Sequence, residues 1–528
     1  MPARRGGGPP AGGTGGGPGA NEFVLLPERG VRAGFGQPLF VGAMVARSTE
    51  PARRVTFGWP AGGDLREGPY FPFRPADIPP DYTSVTVEVV DSIHENAPKL
   101  VRMSDEAALV MRAQSPAIRL VPVRDYAPLD VAAALPIQPP AGATSGPVMT
   151  VQVGSALDGS PIPDAAVVAL TDARLRLGDH GVTDAQGRVS LRLGAGTVEE
   201  LFVDPPPSGF WGAFQRNVPI AASHAVRLEA VDLSSAGMKD ALRHFCGPAV
   251  TGADGAGVRV AVIDTGIDTG HPDVPSLTGR NTVTGEAAGD FGDNGLGHGT
   301  HIAGIIAGRG APPGGVGGLA PGVDLYVYRV FGAGQGTAKN YAIAKALIYA
   351  SDAECHLINL SLGGVVPDEV LRDAVQDARD HGALVVCAAG NAGRQPVGVP
   401  ASYGLAVAAM GRVGTFPAGA REEADVDAPV GSDPDDFVAG FTNVGGNVEF
   451  IAPGVGIVSM LPGGYGPRRG TSMAAAAATG MAARLLSAQP SLLSMPADAA
   501  RAAAMHTHLT GQARSMGFGL QFEGYGML

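Results

Sequence analysis

The chain has 528 residues and a formal net charge of −12, a length that allows roughly two to four domains and a core ample for an α/β fold. Its acidic balance argues against a nucleic-acid binder or a membrane-surface protein and leaves proteins or peptides as the expected partners, with the oligomeric state open. No apolar run reaches the roughly 18 residues a spanning helix needs, and Arg4 and Arg5 lead into GGGPPAGGTGGGPG rather than an apolar signal core, so a cytoplasmic location is the default expectation and secretion is not excluded.

Residues 1–20 are Gly/Pro low complexity that cannot bury a core, which predicts a disordered tail. Over 21–128, strands expected at 23–26, 85–89 and 118–123 are interleaved with a helix expected at 105–113, a small α+β unit. The Pro/Ala/Gly-rich stretch 129–146 predicts a linker. From 147 to 231 short strands at 149–153, 166–170, 189–193, 200–203 and 226–228 alternate with turn signals, among them the hairpin-type turn Asp184-Ala185-Gln186-Gly187. That pattern is an all-β sandwich, similar to carboxypeptidase-regulatory or transthyretin-like modules, with Phe210 and Trp211 expected in its core or rim.

From 232 to 528 the pattern changes again. Strands expected at 258–263, 325–330, 356–360 and 383–387 alternate with helices at 302–308, 338–350 and 368–380, which specifies a doubly wound, mostly parallel sheet. Cys246, Cys355 and Cys387 lack a metal-binding spacing and are expected to be small buried hydrophobes.

Three stretches of this last domain carry reactive groups. Ser472 lies between a glycine-rich turn and an alanine-rich helical run over 475–486, so backbone N–H groups and the helix dipole favour negative charge beside it. A serine hydroxyl needs a base and an orienting acid. Asp264 ends an apolar strand before Gly266, and His298 opens an apolar helical run. Taken singly, the acid reads as a loop residue, His298 and His301 as a metal pair or a helix cap, and Gly470-Thr471-Ser472 as a turn. Together they are candidate acid, base and nucleophile.

These blocks, AVIDTGID around Asp264, GHGTHIAG around His298 and GTSMA around Ser472, in that order, resemble the subtilisin-type (subtilase) serine endopeptidases over roughly residues 232–528. The resemblance implies a subtilisin-like α/β catalytic domain that hydrolyses peptide bonds through an Asp264–His298–Ser472 triad and an acyl-enzyme. It also implies that Asn391, in Ala388-Ala389-Gly390-Asn391, donates its amide to the oxyanion. Gly334 and Ser361-Leu362-Gly363 would then pair with substrate backbone, and Ala388, Ala389 and Gly390 would line the pocket. These walls are uncharged, so an apolar residue is expected at the cleavage position. The N-terminal α+β unit resembles the prodomain such enzymes carry; an accessory domain is the alternative.

Three departures stand out. Ala475, Ala476 and Ala477 replace the family's Ser/Thr and Pro-His after GTSMA, which keeps open a catalytically impaired, protease-like binding module. An acidic stretch at 416–436 reads as a surface loop, with calcium the minor reading. Asp273 matches a family calcium ligand, but its partner loop 309–314 has neither Asn nor Asp, so no cofactor is required and calcium is weakly supported.

Overall fold

The structure is a computed structural model that describes residues 20–27, 30–32, 53–60, 72–73, 82–94, 97–114, 119–130, 148–193, 196–234, 239–246, 251–310 and 315–528. The expected tail lies outside these residues save for Ala20, and the expected linker save for Leu129 and Asp130. The chain divides into two units, Met1–Arg124 and Asp125–Leu528.

In the first unit, strands Ala20–Leu26, Arg53–Pro60, Pro72–Phe73, Tyr82–Ser92, Lys99–Ser104 and Arg119–Pro122 form an antiparallel sheet. The alternation read at 85–89 is real: Val85, Val87 and Val89 are buried while Thr86 is exposed. They meet Ala108 and Met111 of helix Asp105–Gln114, whose first turn carries Asp105 and Glu106, the end favoured for negative charge.

The second unit begins with a sandwich. Leu177–Val182, Ala166–Asp172, Thr197–Asp204 and Ala213–Pro219 form one sheet, and Arg188–Arg192, Val148–Ser155 and Ser223–Leu228 the other. Two of these strands, Leu177–Val182 and Ala213–Pro219, were not anticipated; interrupting Gly and polar residues hide their alternation. The turn at 184–187 has hairpin geometry, with Asp184 Oδ1 accepting from Gln186 N and Arg188 N at 2.9 Å, but it carries the chain from one sheet to the other. Phe210 packs on the sandwich core, whereas Trp211 is buried in the core of the following domain.

That domain is built on a nine-stranded sheet. Strands Leu277–Asn281, Asp324–Arg329, Arg259–Asp264, Leu357–Leu360, Leu384–Ala388 and Leu405–Arg412 run parallel, with Val448–Pro453 also parallel to Leu405–Arg412. The expected doubly wound sheet is therefore present. Asp436–Ala439 and Val426–Val430 extend it antiparallel, so part of the acidic stretch is edge strand rather than loop, though most of 426–435 remains exposed. It tolerates incorporation because its charges are matched, for example by Arg412, which reaches Asp433 at 2.8 Å and Asp436 at 2.7 Å.

Helix Thr471–Ser487 runs through the core beside helix His298–Ala307. Thirteen of its first fourteen residues are buried, and alanine at 474–478 with Gly480 keeps the helix slim where larger side chains would overpack. Cys355 and Cys387 are fully buried, and burial pushes the thiols of Cys246 and Cys355 up to about 12. Among the described residues no helix is long and apolar enough to cross a membrane.

Candidate active site

Asp264 sits at the carboxyl end of Arg259–Asp264, where the strand order reverses between Asp324–Arg329 on one side and Leu357–Leu360 on the other. Such a switch point opens a crevice above the sheet. Helix His298–Ala307 begins over it after Gly297, whose φ of 68° is left-handed. Gly299 allows the close approach, since a Cβ there would stand 2.2 Å from Gly266 O. His298 Nδ1 donates to Asp264 Oδ1 at 2.7 Å, which fixes the tautomer and leaves Nε2 as the acceptor; Nε2 is buried without a hydrogen-bond partner among the described residues.

His301, one turn on, has another task. Its Nε2 donates to Ile457 O at 3.1 Å and Gly466 O at 3.2 Å, pinning the hairpin Ile457–Leu461 and Gly464–Arg468. Burial pushes its pKa down to about 3, so the ring stays neutral. The two histidines therefore do not converge as a metal pair.

Ser472 is the second residue of helix Thr471–Ser487 and is fully buried. Its Oγ donates to Ser361 O at 3.0 Å, and Ser361 Oγ returns a bond to Ser472 O at 3.0 Å. The hydroxyl is thus bonded to a wall carbonyl and not to His298.

Asn391 is oriented by a residue the sequence reading passed over. Thr471 N and Oγ1 both donate to Asn391 Oδ1, at 2.9 and 2.8 Å, which turns Nδ2 outward. That Nδ2 donates to Leu129 O at 2.7 Å, and Ser472 N donates to the same oxygen at 3.3 Å. Gly470 makes room, because a Cβ there would stand 2.5 Å from Leu129 O.

The carbonyl held by these two donors belongs to the stretch read as a linker. Strand Asp125–Pro128 lies antiparallel between Ala338–Lys339 and Leu362–Gly363, and Leu129 N donates to Ser361 O at 3.1 Å. Ser361, Leu362 and Gly363 thus flank this strand on one side. Ala338–Lys339 flank it on the other side, and Gly334 lies in the preceding turn with φ 67°, its N–H donated to Asn294 O at 2.9 Å. Leu129 rests on Gly363, where a Cβ would come within 2.7 Å of Leu129 Cδ1. Ala388 and Ala389 are buried at the end of strand Leu384–Ala388, and Gly390 takes a φ of 119° against Asn443. Arg394 faces elsewhere, pairing with Asp427 at 3.0 Å. Tyr126, three residues before Leu129, is buried with its hydroxyl donating to Asp368 Oδ2 at 3.0 Å.

Asp273 is engaged by protein donors: its Oδ2 accepts from Val316 N at 2.8 Å and from Tyr465 OH at 2.9 Å. Residues 311–314 of the facing loop lie outside the described residues.

The profile of the subtilase family matches residues 255–520. Subtilisin Savinase of Lederbergia lenta is 38% identical over 241 residues, covering 46% of this chain and 80% of that protein. M-protease of Shouchella clausii (strain KSM-K16) is also 38% identical over 241 residues, of which this chain spans 57% of the relative's length. The major intracellular serine protease of Bacillus subtilis (strain 168) is 36% identical over 245 residues, 45% of this chain and 70% of the relative.

Proposed function

The chain belongs to the subtilase family of serine proteases, and from that premise we propose that it is an endopeptidase cutting after apolar residues, with its own Leu129–Asp130 bond lying where a substrate bond is cut. Ser472 Oγ leaves Ser361 O and attacks the carbonyl carbon while His298 Nε2 takes its proton. Asp264 holds the imidazole and stabilises it once charged. Asn391 Nδ2 and Ser472 N bear the negative charge that develops on the carbonyl oxygen. His298 then returns the proton to the leaving amine, and water repeats the sequence on the acyl-enzyme.

The observation that carries this reading is the Leu129 carbonyl, gripped by Asn391 Nδ2 and Ser472 N beside the buried Asp264–His298 pair. The leucine side chain against Gly363 supports an apolar preference, since a cation there would lack a counter-charge.

The test is made on the full chain. Intact-mass measurement and N-terminal sequencing should find a new N-terminus at Asp130, and a fluorophosphonate should label Ser472. Ser472→Ala should leave the chain whole; subtilisin itself loses about a millionfold in kcat with its serine. A break after Leu129 in the Ser472→Ala protein would remove the assignment, and a wild-type chain that neither cuts nor labels would favour the binding-module reading.

A further inference from the structure

We propose that Arg468 makes the cleft select an acidic residue immediately after the cut bond, so that this enzyme prefers junctions such as Leu–Asp. The proposal rests on the protease reading above, which places Leu129 before the bond and Asp130 after it.

Arg468 Nη1 lies 2.5 Å from Asp130 Oδ2, and Arg468 Nη2 donates to Leu296 O at 2.7 Å. One arm of the guanidinium is thereby tied to backbone that belongs to the enzyme, which aims the other arm at the residue after the bond before any substrate arrives. The side chains are 12% and 26% exposed. This is dry enough for a charge-assisted bond to discriminate and open enough for a product to leave.

Arg468 also stands on a stiff support. It ends the strand Gly464–Arg468, paired with Ile457, and the two carbonyls that His301 holds, Ile457 O and Gly466 O, lie on this hairpin. Two residues later Gly470 brings the backbone up to the bond itself: a Cβ there would also stand 3.3 Å from Asp130 Cα. In the sequence Asp130 is the sole charged residue between Asp125 and Asp158. The acid that meets Arg468 is thus set alone at the cut.

A lysine after the bond would face the guanidinium. An asparagine would keep a hydrogen bond and lose the charge. An aspartate there should therefore be preferred over asparagine by about 10- to 100-fold in kcat/KM, with lysine slowest.

The experiment uses the full chain and peptides Asp-Tyr-Ala-Pro-Leu-X-Val-Ala-Ala with X as Asp, Asn, Ala or Lys. Ratios of kcat/KM between peptides are read within each protein, which cancels differences in folded or active fraction. Wild type should favour Asp over Asn and Ala. Arg468→Gln should bring the Asp/Asn ratio to within about threefold of unity, and Arg468→Glu should reverse Asp against Lys. Raising salt from about 0.05 to 0.5 M should shrink the wild-type ratio, a check that needs no variant. Equal rates for the four peptides in wild type, or an Asp preference that survives Arg468→Glu, would overturn the proposal while leaving the protease reading intact. A chain that cuts none of them and takes no fluorophosphonate label would overturn both.

Discussion

Arg468 and Arg469 are adjacent in sequence and serve opposite regions of the molecule, because successive side chains of an extended segment point to opposite sides. Arg468 faces the cleft and meets Asp130, which is 26% exposed. Arg469 turns inward, 4% exposed, and clasps Asp425 through Oδ1 at 2.9 Å and Oδ2 at 3.1 Å. Around it, at the seam between sandwich and catalytic sheet, are Glu422, Arg421 and Asp204 of strand Thr197–Asp204, with the Arg421 guanidinium 4.2 Å over the Phe202 ring. Backbone bonds stitch the same seam: Phe214 N donates to Gly419 O at 2.8 Å and Arg421 N to Gly212 O at 3.1 Å.

The contrast separates two uses of one chemistry. A pair that recognises a passing substrate must stay partly wet, since a fully buried charge would be stranded each time its partner left. A pair fixed within the catalytic domain, as Arg469–Asp425 is, can be dry because its partner never leaves. The sandwich itself is joined across the seam by those backbone bonds and by the Arg421–Asp204 pair at 3.7 Å.

The largest effect should come from breaking the permanent pair. Asp425→Ala leaves the Arg469 guanidinium buried and uncompensated, which should cost about 3–5 kcal/mol of stability, seen as a fall in the denaturant midpoint without a change in the Asp/Asn selectivity just described. An unchanged midpoint would mean that the Arg469 charge is served by other groups and that the two regions differ less than their geometry suggests.

Next in size, Asn391→Leu should lower kcat about 100- to 1000-fold with KM nearly unchanged, the loss known for subtilisin itself on removing this type of donor. It should also leave the Asp/Asn ratio alone, because Asn391 touches the carbonyl before the bond and Arg468 the side chain after it. A loss confined to KM would show that the amide grips the ground state only.

How much of this was legible beforehand follows from the range of each signal. Asp264, His298, Ser472 and Asn391 each sit on a local pattern, a strand ending in an acid or a helix opening after glycine, so a few neighbours announce them. The strand Asp125–Pro128 announces nothing. It is short, contains a proline, leads into a Pro/Ala/Gly stretch, and its partners at 338–339 and 362–363 lie more than two hundred residues away. Thr471 as the orienter of Asn391 was hidden because the bond spans 80 positions. The two-residue strand Ala338–Lys339 is harder to see than the glycine turn at Gly334 before it. In the stretch at 416–436 acidity marks surface at most positions, as expected, but Asp425 and Asp436 are buried because Arg469 and Arg412 supply a counter-charge that composition alone does not locate.

The smallest effect should be the most specific to the buried seam. Burial pushes the Glu422 carboxyl up from its ordinary 4.5 to about 7, against the pull of Arg469 and with the push of Asp425, and its Oε2 has no hydrogen-bond partner among the described residues. Between those two values the unfolded chain releases a proton that the folded chain keeps, so this group lowers wild-type stability as pH rises through that window, and the loss is complete above the folded value. Glutamine cannot titrate and resembles the protonated acid. Between about pH 5 and pH 8 the stability of Glu422→Gln should therefore improve relative to wild type by on the order of 1–3 kcal/mol. Groups common to both proteins cancel, including His301, whose depressed pKa acts in the opposite sense as pH falls below its ordinary value. The check is a pair of denaturant titrations at each pH. A difference that stays constant would mean that Glu422 is ionised in the fold and shares Arg469 with Asp425, adding a further charge beside the Arg469–Asp425 and Arg421–Asp204 pairs of the seam. The same variant should not move the Asp/Asn ratio at the cleft, since Arg468 faces away from it.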